Sequence, residues 1–148
     1  MGFRATTFTP DKAYTEAKKW AVQLKHFGTS RSAQWAGGAD AEMVRSVLRD
    51  LRSFKERFTQ LAAVPGIVAW AKAQEDDPAY DVVSEFNAML AAIDASIVQI
   101  VGQVPEDASC YMQMYTLNAD GSETPRTFPG GALGGIRGTF DAIAATVD

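Results

Sequence analysis

A cluster of carboxylates between residues 75 and 85 is the one group in this sequence that could hold Mg²⁺ or Ca²⁺. Its members are Glu75, Asp76, Asp77, Asp81 and Glu85. Their spacing lacks the alternating oxygen ligands and the glycine of a calcium-binding loop. Carboxylates also accumulate where a helix begins, because they accept hydrogen bonds from free N–H groups and meet the positive end of the helix dipole. We therefore interpret the cluster as a helix start and predict no metal site.

The other residues that could do chemistry lack the partners that catalysis needs. His26 is the single histidine, near the predicted end of a helix, with no nucleophile or carboxylate at a recognisable catalytic spacing. Cys110 is the single cysteine and lies in an apolar stretch, which is typical of a small buried hydrophobic residue. The glycines of residues 130–138 fit neither GxxxxGK[ST] nor GxGxxG. We expect no enzymatic activity and no cofactor.

Arg45, Arg49 and Arg52 lie on one stripe of a predicted helix, and a basic stripe can follow a phosphate backbone. Glu42 and Glu56 continue the same stripe at helical spacing, so that ion pairs can form along it. This pattern is typical of a solvated surface. Nucleic acid and an acidic protein partner are the functional alternatives, and we keep the three arginines as candidate protein contacts.

Charge is unevenly distributed along the chain, whose net charge is −4 at pH 7. Residues 1–72 carry 12 Lys and Arg against 6 Asp and Glu, whereas residues 73–125 carry 10 acidic residues and no basic one. Either helices of opposite charge neutralise each other side by side, or the two poles face different ways. In the second case a copy can meet the next head to tail. Asp76 and Asp77 are then candidate contacts at the acidic pole.

The length and composition of the chain exclude several classes of protein. A chain of 148 residues, 47% of them hydrophobic, can bury the core of one domain without disulfides or metals. No apolar run approaches the ~20 residues of a membrane span, and the N-terminus lacks the apolar segment of a secretion signal. We expect no membrane partner and no specific nucleic-acid partner.

Apolar residues that recur every three or four positions predict the helices that carry these candidates. A first helix begins at Thr9-Pro10-Asp11 and ends near residue 27, because Gly28 follows. Residues 28–39 are then a loop or a frayed turn, in which Trp35 is the best exposed aromatic anchor for a partner. Trp20 and Trp70 are core candidates.

A second helix begins after Asp40 and ends at Val64-Pro65-Gly66, and a short third helix follows. The fourth helix begins at the acidic cluster and ends at Val104-Pro105. The predicted buried face of the second helix is Val44, Val47, Leu48, Leu51, Phe54, Phe58, Leu61 and Ala62. The predicted buried face of the fourth is Val83, Phe86, Leu90, Ile93, Ile97 and Val101.

Residues 109–128 predict a β-hairpin around the turn at residues 118–121. Neither face of its first strand is polar: Tyr111 and Tyr115 share one face, and Cys110 lies on the other. One face should dock on the helices, and the other needs a cover such as another subunit. Tyr111 and Tyr115 are therefore candidate interaction residues.

A last helix begins near residue 132, and its interior glycines predict close contact with a neighbouring element. The predicted fold is mainly α (α+β): a bundle of about four helices followed by a β-hairpin and a C-terminal helix. We expect a single domain, residues 1–148. Its parts are an extended arm (1–8), a helical part (9–104), the hairpin (109–128) and the closing helix (131–147).

The run AVPGIVAWAKAQEDDPAYDVVSEFNAM, residues 63–89, resembles small virion-associated proteins encoded by tailed bacteriophages and prophages. In those proteins a helix ends at a VPGI break, and a DP-Y-D-V--EF--M run opens the next one. The NADG turn at residues 118–121 and the Thr127-Phe128 strand end are similar as well, so the resemblance covers about residues 45–148. It implies a virion component and carries over no functional residue.

Two functions follow as expectations. The first is a non-enzymatic structural subunit of the virion, made in the bacterial cytoplasm. It would lie in the head–tail neck, as an adaptor or connector, or in the tail, and would contact copies of itself and other virion proteins. The alternative is a cytosolic, phage-encoded helical module that binds a single protein partner through Trp35 or the hairpin edge.

Overall fold

The computed structural model describes residues 4–5, 7–37, 39, 41–103, 115–125 and 130–147. Five helices occupy most of these residues, and they confirm the mainly helical class. They are α1 (Pro10–Gln34), α2 (Ala41–Ala62), α3 (Ile67–Gln74), α4 (Val82–Gln103) and α5 (Gly130–Ala145). A 3-10 turn, Trp35–Gly37, follows α1. The strands β1 (Tyr115–Leu117) and β2 (Glu123–Pro125) are short.

The four long helices form a bundle in which each packs against two neighbours. The neighbouring pairs are α1 with α2, α2 with α4, α4 with α5, and α5 with α1, and α3 packs against α1 and α4. Leu24, Leu51, Phe58, Ile93 and Phe140 are fully buried at its centre. The bundle therefore brings the first and last helices of the chain together.

α1 begins where the sequence predicts and ends later than predicted. The Thr9 hydroxyl accepts a hydrogen bond from the Lys12 N–H at 3.4 Å, and Pro10 occupies the first helical position. The predicted stop at Gly28 is wrong, since α1 continues to Gln34. A Cβ on Gly28 would lie 2.6 Å from the carbonyl oxygen of Phe140 in α5. The glycine thus allows two helices to touch and does not end one.

The second and third helices follow the sequence closely. Six of the eight residues on the predicted face of α2 are buried, while Phe54 is half-buried and Ala62 is exposed. The break at Val64-Pro65-Gly66 is confirmed, and Gly66 precedes α3 with a φ of +84°, a conformation that favours glycine. The predicted cap Asp40 lies outside the described residues.

α4 begins later and is rotated relative to the prediction. It begins at Val82, after four of the five residues of the acidic cluster, and the fifth, Glu85, lies in its first turn. Phe86 and Ile93 are buried as predicted, but the other buried positions each lie one residue earlier than predicted: Val82, Met89, Ser96 and Ile100. Ser96 is accommodated in the core because the Thr139 hydroxyl of α5 lies 2.9 Å from its Oγ. Val98 is consequently 70% exposed.

One helix among the described residues, Val82–Gly102 within α4, is long and apolar enough to cross a membrane by length and composition alone. The expectation that no apolar run approaches the length of a membrane span is therefore wrong for this helix. A core helix of a soluble bundle can pass the same test, and 28% of the most apolar window of this helix is buried.

α5 begins at Gly130, two residues before the predicted start. Its buried residues Ile136, Phe140 and Ile143 recur at intervals of three and four, so they lie on one face of the helix. The predicted close contact of its glycines is wrong at Gly138, where a Cβ would have nothing within 4 Å. At Gly135 a Cβ would meet only the flexible end of Gln99, at 3.0 Å. Among the glycines whose surroundings the structure describes, the one that allows two helix backbones to touch is Gly28, on the partner helix.

The described part of the predicted hairpin is the antiparallel pair β1 and β2, with Tyr115 opposite Pro125 and Leu117 opposite Glu123. Gly121 between them has a φ of +87°. Residues 109–114 and 126–128 lie outside the described part of the chain. The extent of the hairpin and the cover on its two faces therefore stay predictions.

Candidate functional site

An open groove of about 870 Å³ runs between α1 and α2. We call it the α1–α2 groove. α1 contributes Trp20, Gln23, His26, Phe27, Ser30, Arg31, Ala33 and Gln34, and α2 contributes Asp50, Ser53, Phe54 and Arg57. His26, predicted near a helix end, instead lies within α1 on the exposed rim of this groove.

The groove exists because α1 packs more extensively against α5 than against α2. On the α5 side, Gly28 lets the two backbones approach. On the α2 side, aromatic rings separate the helices: the centroids of Phe27 and Phe54 are 5.5 Å apart, and those of Trp20 and Phe54 are 6.4 Å apart. The floor of the groove is therefore aromatic.

Arg31 joins the two walls of the groove. Its guanidinium donates to Asp50 Oδ2 at 2.9 Å, to Ser46 Oγ at 3.0 Å and to Gln34 Oε1 at 2.9 Å. The Arg31 side chain is only 17% exposed, so this ion pair is better shielded from water than a surface pair. Arg31 thus holds α1 against α2, and Asp50 compensates its charge.

Arg57 and Trp20 form the other end of the groove. The guanidinium carbon of Arg57 lies 4.2 Å from the centroid of the Trp20 ring, within the range of a cation–π interaction. The Trp20 indole N–H donates to Glu16 Oε2 at 3.0 Å, which fixes the ring. Trp20, predicted in the core, is half-buried and presents an aromatic face and an adjacent cation.

A second pocket extends the groove toward the N-terminal end of α2. It is lined by Arg31, Gln34, Glu42, Met43, Arg45, Ser46 and Arg49. The two pockets share Arg31 and Gln34, so they form one continuous surface. Along its whole length the groove carries four arginines and two carboxylates, Asp50 and Glu42.

Two of the three predicted arginines lie in this groove. Arg45 and Arg49 line it and are exposed, and 76% of the Arg49 side chain is accessible although its Nε lies 3.7 Å from Asp50 Oδ1. Arg52 is exposed on α2 and is not among the residues that line either pocket. The structure thus places Arg45 and Arg49 with Arg31 along the groove, whereas Arg52 is not among the residues that line it.

The prediction that Trp35 is an exposed anchor is wrong. Trp35 is 0% exposed, and its ring packs edge-on against Phe140 with 5.0 Å between the centroids. Because α1 continues through Gly28, the chain carries Trp35 onto α5 instead of into a loop. The prediction for Trp70 is wrong in the opposite sense, since that side chain is 40% exposed.

Four residues of the acidic cluster lie in the segment between α3 and α4, and one of them, Asp81, accepts a hydrogen bond at the start of α4, as the helix-start interpretation predicts. Asp77 Oδ1 accepts from the Ala79 N–H at 2.9 Å, and Asp81 Oδ1 accepts from the Val83 N–H at 3.0 Å. The Ser84 hydroxyl donates to Asp81 Oδ2 at 2.9 Å, and this bond holds the pKa of Asp81 below its usual value. Within the part of the chain that the structure describes, no cluster of three His, Cys, Asp or Glu could hold a metal ion.

Glu75 fastens this turn to α1. The Tyr14 hydroxyl donates to Glu75 Oε1, and Lys18 Nζ lies 3.2 Å from the same oxygen. The hydrogen bond from Tyr14, supported by Lys18, holds the pKa of Glu75 below its usual value. Lys18 and Trp20 are two residues apart on α1, which turns them about 200° from each other. The turn and the groove therefore lie on opposite flanks of α1.

Ion pairs join the basic helices to the acidic part of the chain. Lys18 of α1 pairs with Glu75, and Lys55 Nζ of α2 lies 2.8 Å from Asp94 Oδ1 of α4. The side-by-side arrangement of opposite charges is thus present for these two pairs. Asp76 and Asp77 remain exposed on the turn, and Arg45 and Arg49 remain exposed in the groove.

The remaining candidates are not tested by the structure. Tyr111 and Cys110 lie outside the described residues, and Tyr115 is described only as a backbone position in β1. No match to the chain was found among protein-family models, curated proteins or solved structures.

Proposed function

We propose that this protein is a non-enzymatic structural subunit of a tailed-phage particle. It lies in the head–tail neck, as an adaptor or connector, or in the tail, and acts through contacts with copies of itself and with other virion proteins. The resemblance of residues 63–89 to virion-associated phage proteins supports the setting. The structural observation that carries the proposal is the placement of an arginine-lined groove and an exposed acidic turn on opposite flanks of α1.

Opposite charges on two flanks favour a contact between different patches of identical chains. Such a contact is heterologous, and repeated contacts of this kind close into a ring when the rotation between neighbours allows it. Complementary potentials also orient the partners before they meet. Rings are the form in which a neck or tail subunit can act through many equivalent contacts.

The hairpin is part of the same proposal. We infer that residues 109–128 form a β-hairpin around the paired strands β1 and β2, with one face on the helices and the other covered by a neighbouring subunit. The antiparallel register of Tyr115 with Pro125 supports the hairpin. Pro125 cannot donate a backbone hydrogen bond, which is compatible with an edge strand.

The alternative is a cytosolic, phage-encoded module that binds one protein partner. Trp35 cannot be the anchor of such a module, because that residue is buried. The α1–α2 groove is what favours it, since an aromatic floor beside arginines suits an acidic segment of a single partner.

The composition of the particle tests the proposal. Virions of the phage or prophage that encodes the chain would be purified on a density gradient, washed in high salt and analysed by quantitative mass spectrometry. We expect the protein in multiple copies per particle, at a fixed ratio to the major tail or neck proteins. Its absence from washed particles, with the protein present in the infected-cell lysate, would contradict the proposal and favour the single-partner module.

A further inference from the structure

We propose that the α1–α2 groove of one copy receives the acidic turn of a second copy. We define the acidic turn as residues 75–81, between α3 and α4. This inference names the self-contact of the proposed subunit and, for its place in a particle, rests on the proposed function. The contact itself is argued from the charges and geometry of this chain.

The groove offers the chemistry that an acidic loop requires. Arg45 and Arg49 are exposed along its rim, and Arg57 lies beside the aromatic face of Trp20. Arginine presents several N–H donors in a fixed plane, which suits carboxylates better than a lysine does. The half-buried aromatic floor gives the same loop an apolar surface to cover. The groove therefore combines charge recognition with burial of apolar area.

The acidic turn is held in one shape. Glu75 is bound by Tyr14 and Lys18, Asp77 accepts from the Ala79 N–H, and Asp81 accepts from the Val83 N–H. Asp76 and Asp77 stay exposed on this fixed turn. A segment that is already ordered loses less entropy when it binds, so the turn is suited to dock as a unit.

Two observations favour a second copy over other occupants. The turn cannot reach the groove of its own chain, because Glu75 is bound to the flank of α1 that faces away from Trp20 and Arg31. Nucleic acid fits less well, because a phosphate backbone needs a continuous positive path and Glu42 and Asp50 interrupt the row of arginines. The turn presents only two exposed carboxylates, Asp76 and Asp77, which need no more than the neighbouring pair Arg45 and Arg49. A second copy supplies carboxylates on a fixed turn at the same concentration as the groove.

Reciprocal charge reversal tests the contact. The groove variant is Arg45→Glu with Arg49→Glu. The turn variant is Asp76→Lys with Asp77→Asn, in which the asparagine keeps the oxygen that Ala79 uses. The control is Lys12→Glu with Lys25→Glu, which reverses two exposed positive charges of α1 that line neither pocket of the groove. Sedimentation velocity at low salt measures the concentration at which half of the chains associate.

We expect each site variant to need about tenfold more protein for half-association than the native chain, whereas the control changes little. An equimolar mixture of the two site variants should associate again, because the acidic groove of one then meets the basic turn of the other. Circular dichroism reports whether each variant is folded. If the groove variant is unfolded, Arg45→Gln with Arg49→Gln replaces it and should weaken association in the same direction.

Four results would overturn the inference: no association of the native chain, no effect of either site variant, an equal effect of the control, or no recovery in the mixture. If native copies associate but the variants have no effect, the groove–turn contact fails and the proposed function stands. If the mixture recovers but the protein is absent from purified particles, the contact stands and the proposed function fails.

Discussion

Gly28 of α1 lies against the backbone of Phe140 in α5, where a Cβ on the glycine would be 2.6 Å from the Phe140 carbonyl oxygen and 2.9 Å from the Ala144 nitrogen. Both atoms belong to the backbone of a helix and cannot rotate away. This contact holds α1 against α5. On the opposite flank of α1, the rings of Trp20, Phe27 and Phe54 keep α1 apart from α2. The open groove is a consequence of that asymmetry.

A methyl group at this contact should therefore destabilise the bundle. We expect Gly28→Ala to lower the free energy of unfolding by about 1–3 kcal/mol, as overpacking of a core does. Gly138→Ala is the matched control, because a Cβ there meets nothing within 4 Å. Alanine at that helical position should raise stability by about 0.5–1 kcal/mol. Urea unfolding followed by circular dichroism measures both, and equal effects would contradict the close contact.

The burial of Trp35 predicts a second stability difference. Trp35→Ala should cost about 3–5 kcal/mol, because it opens a cavity against Phe140. Trp70→Ala removes a side chain that is 40% exposed and should cost roughly 1 kcal/mol or less. The same urea titration compares the two. If Trp35→Ala lowered the free energy of unfolding less than Trp70→Ala does, Trp35 would not be buried against Phe140, and the exposed loop that the sequence predicts would be correct.

The attachment of the acidic turn to α1 should depend on pH. The pKa of Glu75 is lowered in the folded protein by the hydrogen bond from Tyr14, and then by Lys18. The ionised Glu75 carboxylate therefore stabilises the fold fully at pH values above its ordinary pKa of 4.5. This stabilisation is lost as the pH falls through the lower pKa that Glu75 has in the folded protein. Glu75→Gln should be less stable than the native chain at pH 7, and the two should converge toward pH 3. A difference that is the same at both pH values would show that the carboxylate charge plays no part.

Most helices could be predicted from the sequence, because their caps, breaks and apolar periods are local. The break at Val64-Pro65-Gly66 is an example, since proline and a left-handed glycine act on their own neighbours. Gly28 could not be interpreted in this way. Its meaning depends on Phe140, more than a hundred residues further along the chain, and the misplaced helix end then misplaced Trp35 as well.

The rotation of α4 has a similar cause. Most residues of this helix are apolar, so its period alone does not say which side is buried. The bundle buries Ser96 beside Thr139 and leaves Val98 exposed, a choice made by helix pairing and not by hydrophobicity. Predictions of the buried face are more secure in α2, where charged residues mark the opposite side.

The candidate site could be predicted in part. Arg45 and Arg49 can be predicted because a stripe of positive charges at helical spacing is visible in the sequence. Asp76 and Asp77 can be predicted because they belong to a visible cluster of carboxylates. Trp20, Arg31 and Arg57 were missed as site residues, since their roles arise only where α1 meets α2.

Light scattering on a sizing column, at low salt and again at about 0.5 M, tests the central claim most directly. If copies associate through the groove and the acidic turn, the native chain forms a discrete oligomer at low salt. That oligomer dissociates at high salt, because screening weakens the contact between exposed charges. A monomer at both salt concentrations would contradict the account, and so would an oligomer of unchanged size, which would locate the contact on an apolar surface instead.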